Sequence, residues 1–158
     1  MDLDSLEADG LHEAVVAMRR LASRFDAAEA RLVGRWDRDR VWASDGSRSA
    51  GARLGRDARC DPATANSLVR RARKLTSMGH TRSAPASGTL SSDHVDALCR
   101  ANRPAVEHLF ARDEATLLAH ATHLDFAEFK RMVAYWSQLA DDHTAEDEAQ
   151  KRRDGRWF

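Results

Sequence analysis

DPATANSLVRRARKLTS, residues 61–77, carries its own helix start. The Asp61 carboxylate can accept the free amide hydrogens of a first turn, and Pro62 at the first helical position has no amide hydrogen to leave unpaired. Ala65, Leu68, Ala72 and Leu75 then recur at steps of three, four and three and share one side of that helix. Asn66, Arg70, Arg73 and Lys74 fall on the other side. Just upstream, Ser49 can cap a short helix running to about Asp57 with Ala52 and Leu54, and Arg59-Cys60 leads into Asp61. Two short helices joined by a tight turn, the second with an apolar back and a cationic front, outline a helix-turn-helix.

Working outward toward the amino end, Leu11, Val15, Met18, Ala22, Phe25, Leu32 and Trp36 follow a helical stripe whose one gap holds Glu29. Steps averaging 3.5 suit a face turned to the core or a coiled-coil seam joining two copies of the chain. The core face is the primary expectation, and Glu29 in the seam opposes a tight symmetric zipper. This long helix is expected to end near Ala43, because Ser44-Asp45-Gly46-Ser47 is a turn cluster.

Toward the carboxyl end, residues 76–90 read as a connector with room for one helical turn. Ser91 or Ser92 caps a helix with Val95, Leu98, Cys99 and Asn102 inward, Pro104 opens another with Val106 and Leu109, and Asp113 caps a third with Leu117, Leu118 and Ala121. Asp125 and Glu128 form a capping box before Phe126, Phe129, Met132, Val133 and Trp136. No run alternates with the period of two that a half-buried strand needs. The expected fold is therefore all-α: a multi-helix domain over 1–140 with a long N-terminal helix and a central helix-turn-helix-like pair. Residues 141–158 read as a charged tail, and the terminal Trp157-Phe158 suggests that a further element follows.

At 158 residues the chain suits one domain with a real core. Its longest apolar run, Ala14 to Met18, is far short of the roughly twenty residues of a membrane helix. With no signal-peptide pattern at its start, it is expected in the cytoplasm. Two distant cysteines, Cys60 and Cys99, disfavour a disulfide framework or a zinc finger. The formal net charge is zero, but its distribution is uneven. Residues 1–46 net −3, residues 83–158 net −4, and the block 47–82 carries nine basic groups against two acidic ones. A concentrated basic block is the electrostatic footprint of a phosphate partner.

Candidate chemistry concentrates in that block. Arg70, Arg73 and Lys74 can neutralise phosphates, Asn66 can offer its amide to an adenine edge, and Arg48, Arg53, Arg56 and Arg59 support them from the preceding helix and turn. Double-stranded DNA is the expected partner. The alternative is a solvated cationic face on an interaction module that dimerises through the Leu11 to Trp36 helix. His120, His123 and Asp125, and the cluster Asp141-Asp142-His143, lack a convincing third ligand, so no metal and no cofactor is expected. Neither cysteine has a neighbouring histidine, and no nucleophile elbow or phosphate loop occurs, so no catalytic residue is assigned. Trp36, Trp42, Trp136 and Phe129 are expected to pack rather than to stack on bases, and His12, His80, His94 and His108 to lie at the surface or at helix caps.

Trp42-x-x-Asp45-Gly46-x-x-Ser49, followed by Leu54, Ala65, Arg70 and Arg73-Lys74-Leu75, resembles the pattern of domain of unknown function 222, the thirteen-E-twelve repeat family of high-GC Gram-positive bacteria. Gly88-Thr89-Leu90-Ser91-Ser92-Asp93-His94-Val95, Leu117-Leu118-x-x-Ala121, Trp136 and Asp141-Asp142 continue it. Arg53 stands where the family usually has tryptophan, and Gly79 where it has proline. The resemblance implies a helical N-terminal part of an HNH endonuclease-like protein, whose nuclease motif of histidines and asparagine is not in this chain.

Overall fold

The computed structural model describes residues 7–84 and 90–154, and within them helices follow one another with no strand. Helix α1 (Ala8–Arg38) is followed by a 3-10 turn (Val41–Asp45), α2 (Ala50–Asp57), α3 (Pro62–Thr76) and the short α4 (Gly79–Ser83). The second half holds α5 (Ser92–Ala101), a 3-10 turn (Pro104–Val106), α6 (Glu107–Ala121) and α7 (Phe126–Asp154). The Gly88-Thr89 part of the family pattern and Trp157-Phe158 lie outside the described residues.

Local chemistry sets most helix starts. Ser49 Oγ accepts the Ala52 N–H at 3.2 Å, and Asp61 Oδ1 accepts those of Ala63 at 2.6 Å and Thr64 at 3.3 Å. Before α7, the Glu128 N–H donates to Asp125 Oδ1 at 2.8 Å while Glu128 Oε2 accepts the Asp125 N–H at 3.4 Å. The helical turn allowed inside the connector is α4.

Four sequence expectations need correction. The long helix stops at Arg38 rather than near Ala43: Arg40 takes a left-handed φ of 51°, and the following turn folds Trp42 back against Val33, Ala50, Val69 and Ala72. Its apolar stripe is not the core face. Leu11, Val15, Met18, Phe25 and Leu32 are exposed, Phe25 at 67% and Leu32 at 71%, while α3 packs on the C-terminal part of α1 through Ala30, Val33, Gly34 and Asp37. Asp113 caps nothing; it lies inside a continuous α6, where its carboxylate accepts from Arg112 Nε at 2.8 Å and from Trp136 Nε1 at 2.9 Å. On α3 the deeper side chain is Val69, while Leu68 is half-buried. Helix α7 passes through residue 140 without a break and carries the charged segment on as helix.

The main core gathers Leu75 and Met78 from the α3–α4 region, Ala97, Leu98 and Ala101 from α5, Phe110 and Leu117 from α6, and Phe129 and Val133 from α7. Cys99 packs against it, as expected of a core cysteine, and burial pushes its thiol up to about 11. A second cluster of Val33, Ala50, Val69 and Ala72, flanked by Trp36, Trp42 and Leu54, holds the α2–α3 pair to α1. Trp36, Trp42 and Trp136 are thus packing residues. Glu114 is buried in α6, where Oε1 accepts the Thr81 N–H at 2.7 Å and ties α4 to the core.

His94 is buried as well as being part of a cap, so the surface expectation for it is only half right. Its Nδ1 accepts the Ser91 N–H at 3.4 Å, and its ring lies 4.9 Å from Phe129 and 5.1 Å from Phe126. Burial holds the imidazole below its ordinary value of 6.5. A depressed histidine value means that the unfolded chain takes up the proton first, so stability falls as pH drops below about 6.5. Melting curves between pH 7.5 and 5.5 are expected to show this fall, with a flatter profile for His94→Gln. An equal slope in both proteins would refute the assignment.

Candidate functional site

The basic residues of α2, α3 and their turn meet three fates. Arg53 pairs with Asp45 at 2.6 Å and with Asp57, and Arg56 pairs with the same two carboxylates, holding Asp57 at 2.8 Å. Arg73 grips Asp37 with both nitrogens, at 2.7 and 2.8 Å, fastening α3 to α1. These guanidinium groups hold the Asp57 and Asp37 carboxyls below the usual carboxylate range, and Asp45 is held there first by the Ser47 hydroxyl and then by Arg56 and Arg53.

Arg48, Arg59, Arg70 and Lys74 have no carboxylate partner among the described residues. Arg48, Arg59 and Arg70 are exposed, and Arg59 takes a left-handed φ of 52° in the turn between α2 and α3. Asn66 is turned to the protein itself: its Nδ2 donates to the Pro62 carbonyl at 2.8 Å, and its side chain closes over Gly51.

A groove of about 380 Å³ opens between the start of α2 and the front of α3. Ser49, Ala50 and Gly51 line one wall; Asn66, Arg70 and Arg73 line the other. Ser49 satisfies the Ala52 N–H, while Ala50 and Gly51, the first two residues of α2, are buried, Ala50 completely. The cation that the groove offers to an anion is the exposed guanidinium of Arg70, which has no carboxylate partner among the described residues.

A larger groove, about 790 Å³, runs between α1, α3, α4 and the start of α5. Arg24, Arg31, Arg35 and Arg38 of α1 line it. These four lie outside the basic block 47–82, although their spacing of seven, four and three residues puts them on one face of α1.

The histidine clusters gain no third partner: among the described residues no three His, Cys, Asp or Glu side chains converge as metal ligands. His143 Nδ1 instead faces Asp147 at 3.4 Å one turn along α7. No helix of the described residues is long and apolar enough to cross a membrane.

Fold and site together define an all-α, arginine-rich helical domain with a helix-turn-helix-like pair at its centre. Within that class, the chain belongs to the family of the domain of unknown function DUF222, whose profile matches residues 12–158. No curated protein and no solved structure matches the chain.

Proposed function

We propose that this chain is a non-catalytic module that binds or positions double-stranded DNA, for an HNH-type nuclease module of the kind the family resemblance implies. The supporting observation is the smaller groove, where the exposed guanidinium of Arg70 can hold one backbone phosphate. Arg48, Arg59 and Lys74 add charge without an internal partner. Arg53, Arg56 and Arg73 brace the pair rather than contact DNA, and Asn66 has to leave Pro62 to read a base.

Titration of the whole chain with duplex DNA tests this. Three to four phosphate contacts predict a slope of about −3 in log affinity against log salt. Arg70→Glu with Lys74→Glu is expected to weaken binding at least tenfold, and Lys130→Glu on α7 to change it little. No binding at low salt, or equal loss in the α7 control, would end the proposal.

One observation favours a second reading, dimerisation through α1: its stripe from Leu11 to Leu32 is uncovered, while Trp36 is partly taken up by the chain's own packing. Burying the five large side chains Leu11, Val15, Met18, Phe25 and Leu32 between two copies removes apolar surface from water. Sedimentation is expected to show a dimer that Phe25→Asp weakens about tenfold. Glu29→Leu is expected to strengthen it by replacing a carboxylate in the seam. A monomer at high concentration in both variants and parent excludes this reading.

A further inference from the structure

The larger groove has a cationic rim and an apolar floor, and each constrains what can occupy it. On the rim, Arg24, Arg31, Arg35 and Arg38 form a row along one face of α1, with Arg71 of α3 and Arg82 of α4 contributing from the other elements. Fourteen residues at 1.5 Å each give the row a length of about 21 Å. Arg24 and Arg31 are in no ion pair among the described residues, and Arg35 and Arg38 share only the exposed Asp39, at 3.4 and 3.6 Å. Arg71 is fixed by Asp96 at 3.2 Å and by donation to the Ser92 carbonyl. The one carboxylate of the lining, Asp26, accepts from the Ser92 hydroxyl. The floor is Ala30, Ala72, Leu75, Leu90 and Val95. Thr81, 7% exposed, also lines the groove, and its buried Oγ1 has no hydrogen-bond partner.

We infer that this groove seats an acidic amphipathic helix of a protein partner. A row of arginines on one helical face matches carboxylates repeating every three or four residues on a helix laid along it, and four turns of partner span its length. The floor takes the apolar face of that helix, as in other helix-in-groove complexes. Thr81 Oγ1 supplies a hydrogen bond to a carboxylate or backbone group brought close. A nucleic-acid backbone fits less well: it matches the rim, brings nothing for the floor, and finds no aromatic side chain in the lining on which to stack a base. The site is separate from the α2–α3 groove, so the two proposals stand or fall independently.

The test uses the whole chain and a fluorescein-labelled 16-residue peptide with leucines at helical i, i+3, i+4 spacing and glutamates elsewhere. Anisotropy is expected to show saturable binding that weakens at least tenfold in Arg31→Glu/Arg35→Glu, and also in Leu90→Asp, with helical circular dichroism unchanged. Arg70→Glu/Lys74→Glu is expected to leave it unaltered. The inference is overturned by absence of binding, by equal binding of a peptide with lysines in place of the glutamates, or by indifference to Arg31→Glu/Arg35→Glu. It is also overturned if duplex or single-stranded DNA binds at this rim while the peptide does not. Loss of DNA binding in the α2–α3 variant with peptide binding intact would separate the two sites.

Discussion

Phe129→Ala is expected to lower the free energy of unfolding by about 3–5 kcal/mol, the usual cost of deleting a fully buried aromatic ring. The ring is 0% exposed and lies where α5 meets α7, with His94 on one side and the Leu98, Phe110 and Val133 cluster around it. Two neighbouring rings are held in place: Phe110 is edge-on to Trp136 at 5.7 Å, and Trp136 is held by Asp113. A domain of this size has about 5–15 kcal/mol in total, so the variant should sit close to unfolding. Denaturant titration followed by circular dichroism measures the loss. Tyr135→Ala, on the same helix but 64% exposed, is the control and should stay within about 0.5 kcal/mol. A loss at Phe129 as small as that of the control would mean that the α5–α7 contact is not the main core.

The contrast between these neighbouring positions shows what a single sequence reveals. Helix starts were legible at Ser49, Asp61, Ser91 and Asp125 because a cap is a contact between residues two or three apart. The all-α class followed from periodicity alone. What periodicity does not contain is the identity of the neighbour. Leu11 to Leu32 share a face of α1, but the pattern does not say whether another helix covers that face, and the left-handed Arg40 that ends the helix early leaves no mark in it either. Asp113 has the composition of a cap; what it does is set by Trp136, twenty-three residues away.

The basic block fared similarly. Its charge was visible as a count, but the partners of Arg53, Arg56 and Arg73 were not, and Asp37 lies thirty-six residues before Arg73. Asp45 and Asp57 flank α2 in sequence and close on it in space, so the block's cations divide into those that brace the fold and those left for solvent. The α1 arginine row was open to inspection, since its spacing is helical. It becomes a groove only because α3 and α4 stand beside it, and that is tertiary information.

Gly51→Ala is expected to destabilise the parent chain by about 1–3 kcal/mol and to stabilise it once Asn66 is gone. A methyl group on Gly51 would come within 2.1 Å of Asn66 Oδ1 and 2.8 Å of its Cγ, so the asparagine must turn away. Turning costs its hydrogen bond to the Pro62 carbonyl and opens the contact that draws α2 onto α3. Opposing this, alanine in a helix interior is favoured over glycine by roughly 0.5–1 kcal/mol. In the parent the clash wins. In an Asn66→Ala background both close atoms are removed, the one tight contact left is the backbone Cα of that residue at 3.3 Å, which a shift of a few tenths of an ångström relieves, and the propensity gain remains. A double-mutant cycle by thermal or denaturant unfolding therefore predicts a change of sign for Gly51→Ala between the two backgrounds. The same outcome in both would mean that Asn66 does not lie over Gly51. In that case the asparagine is free to point into the α2–α3 groove, where it could offer its amide to a base edge as the sequence first suggested.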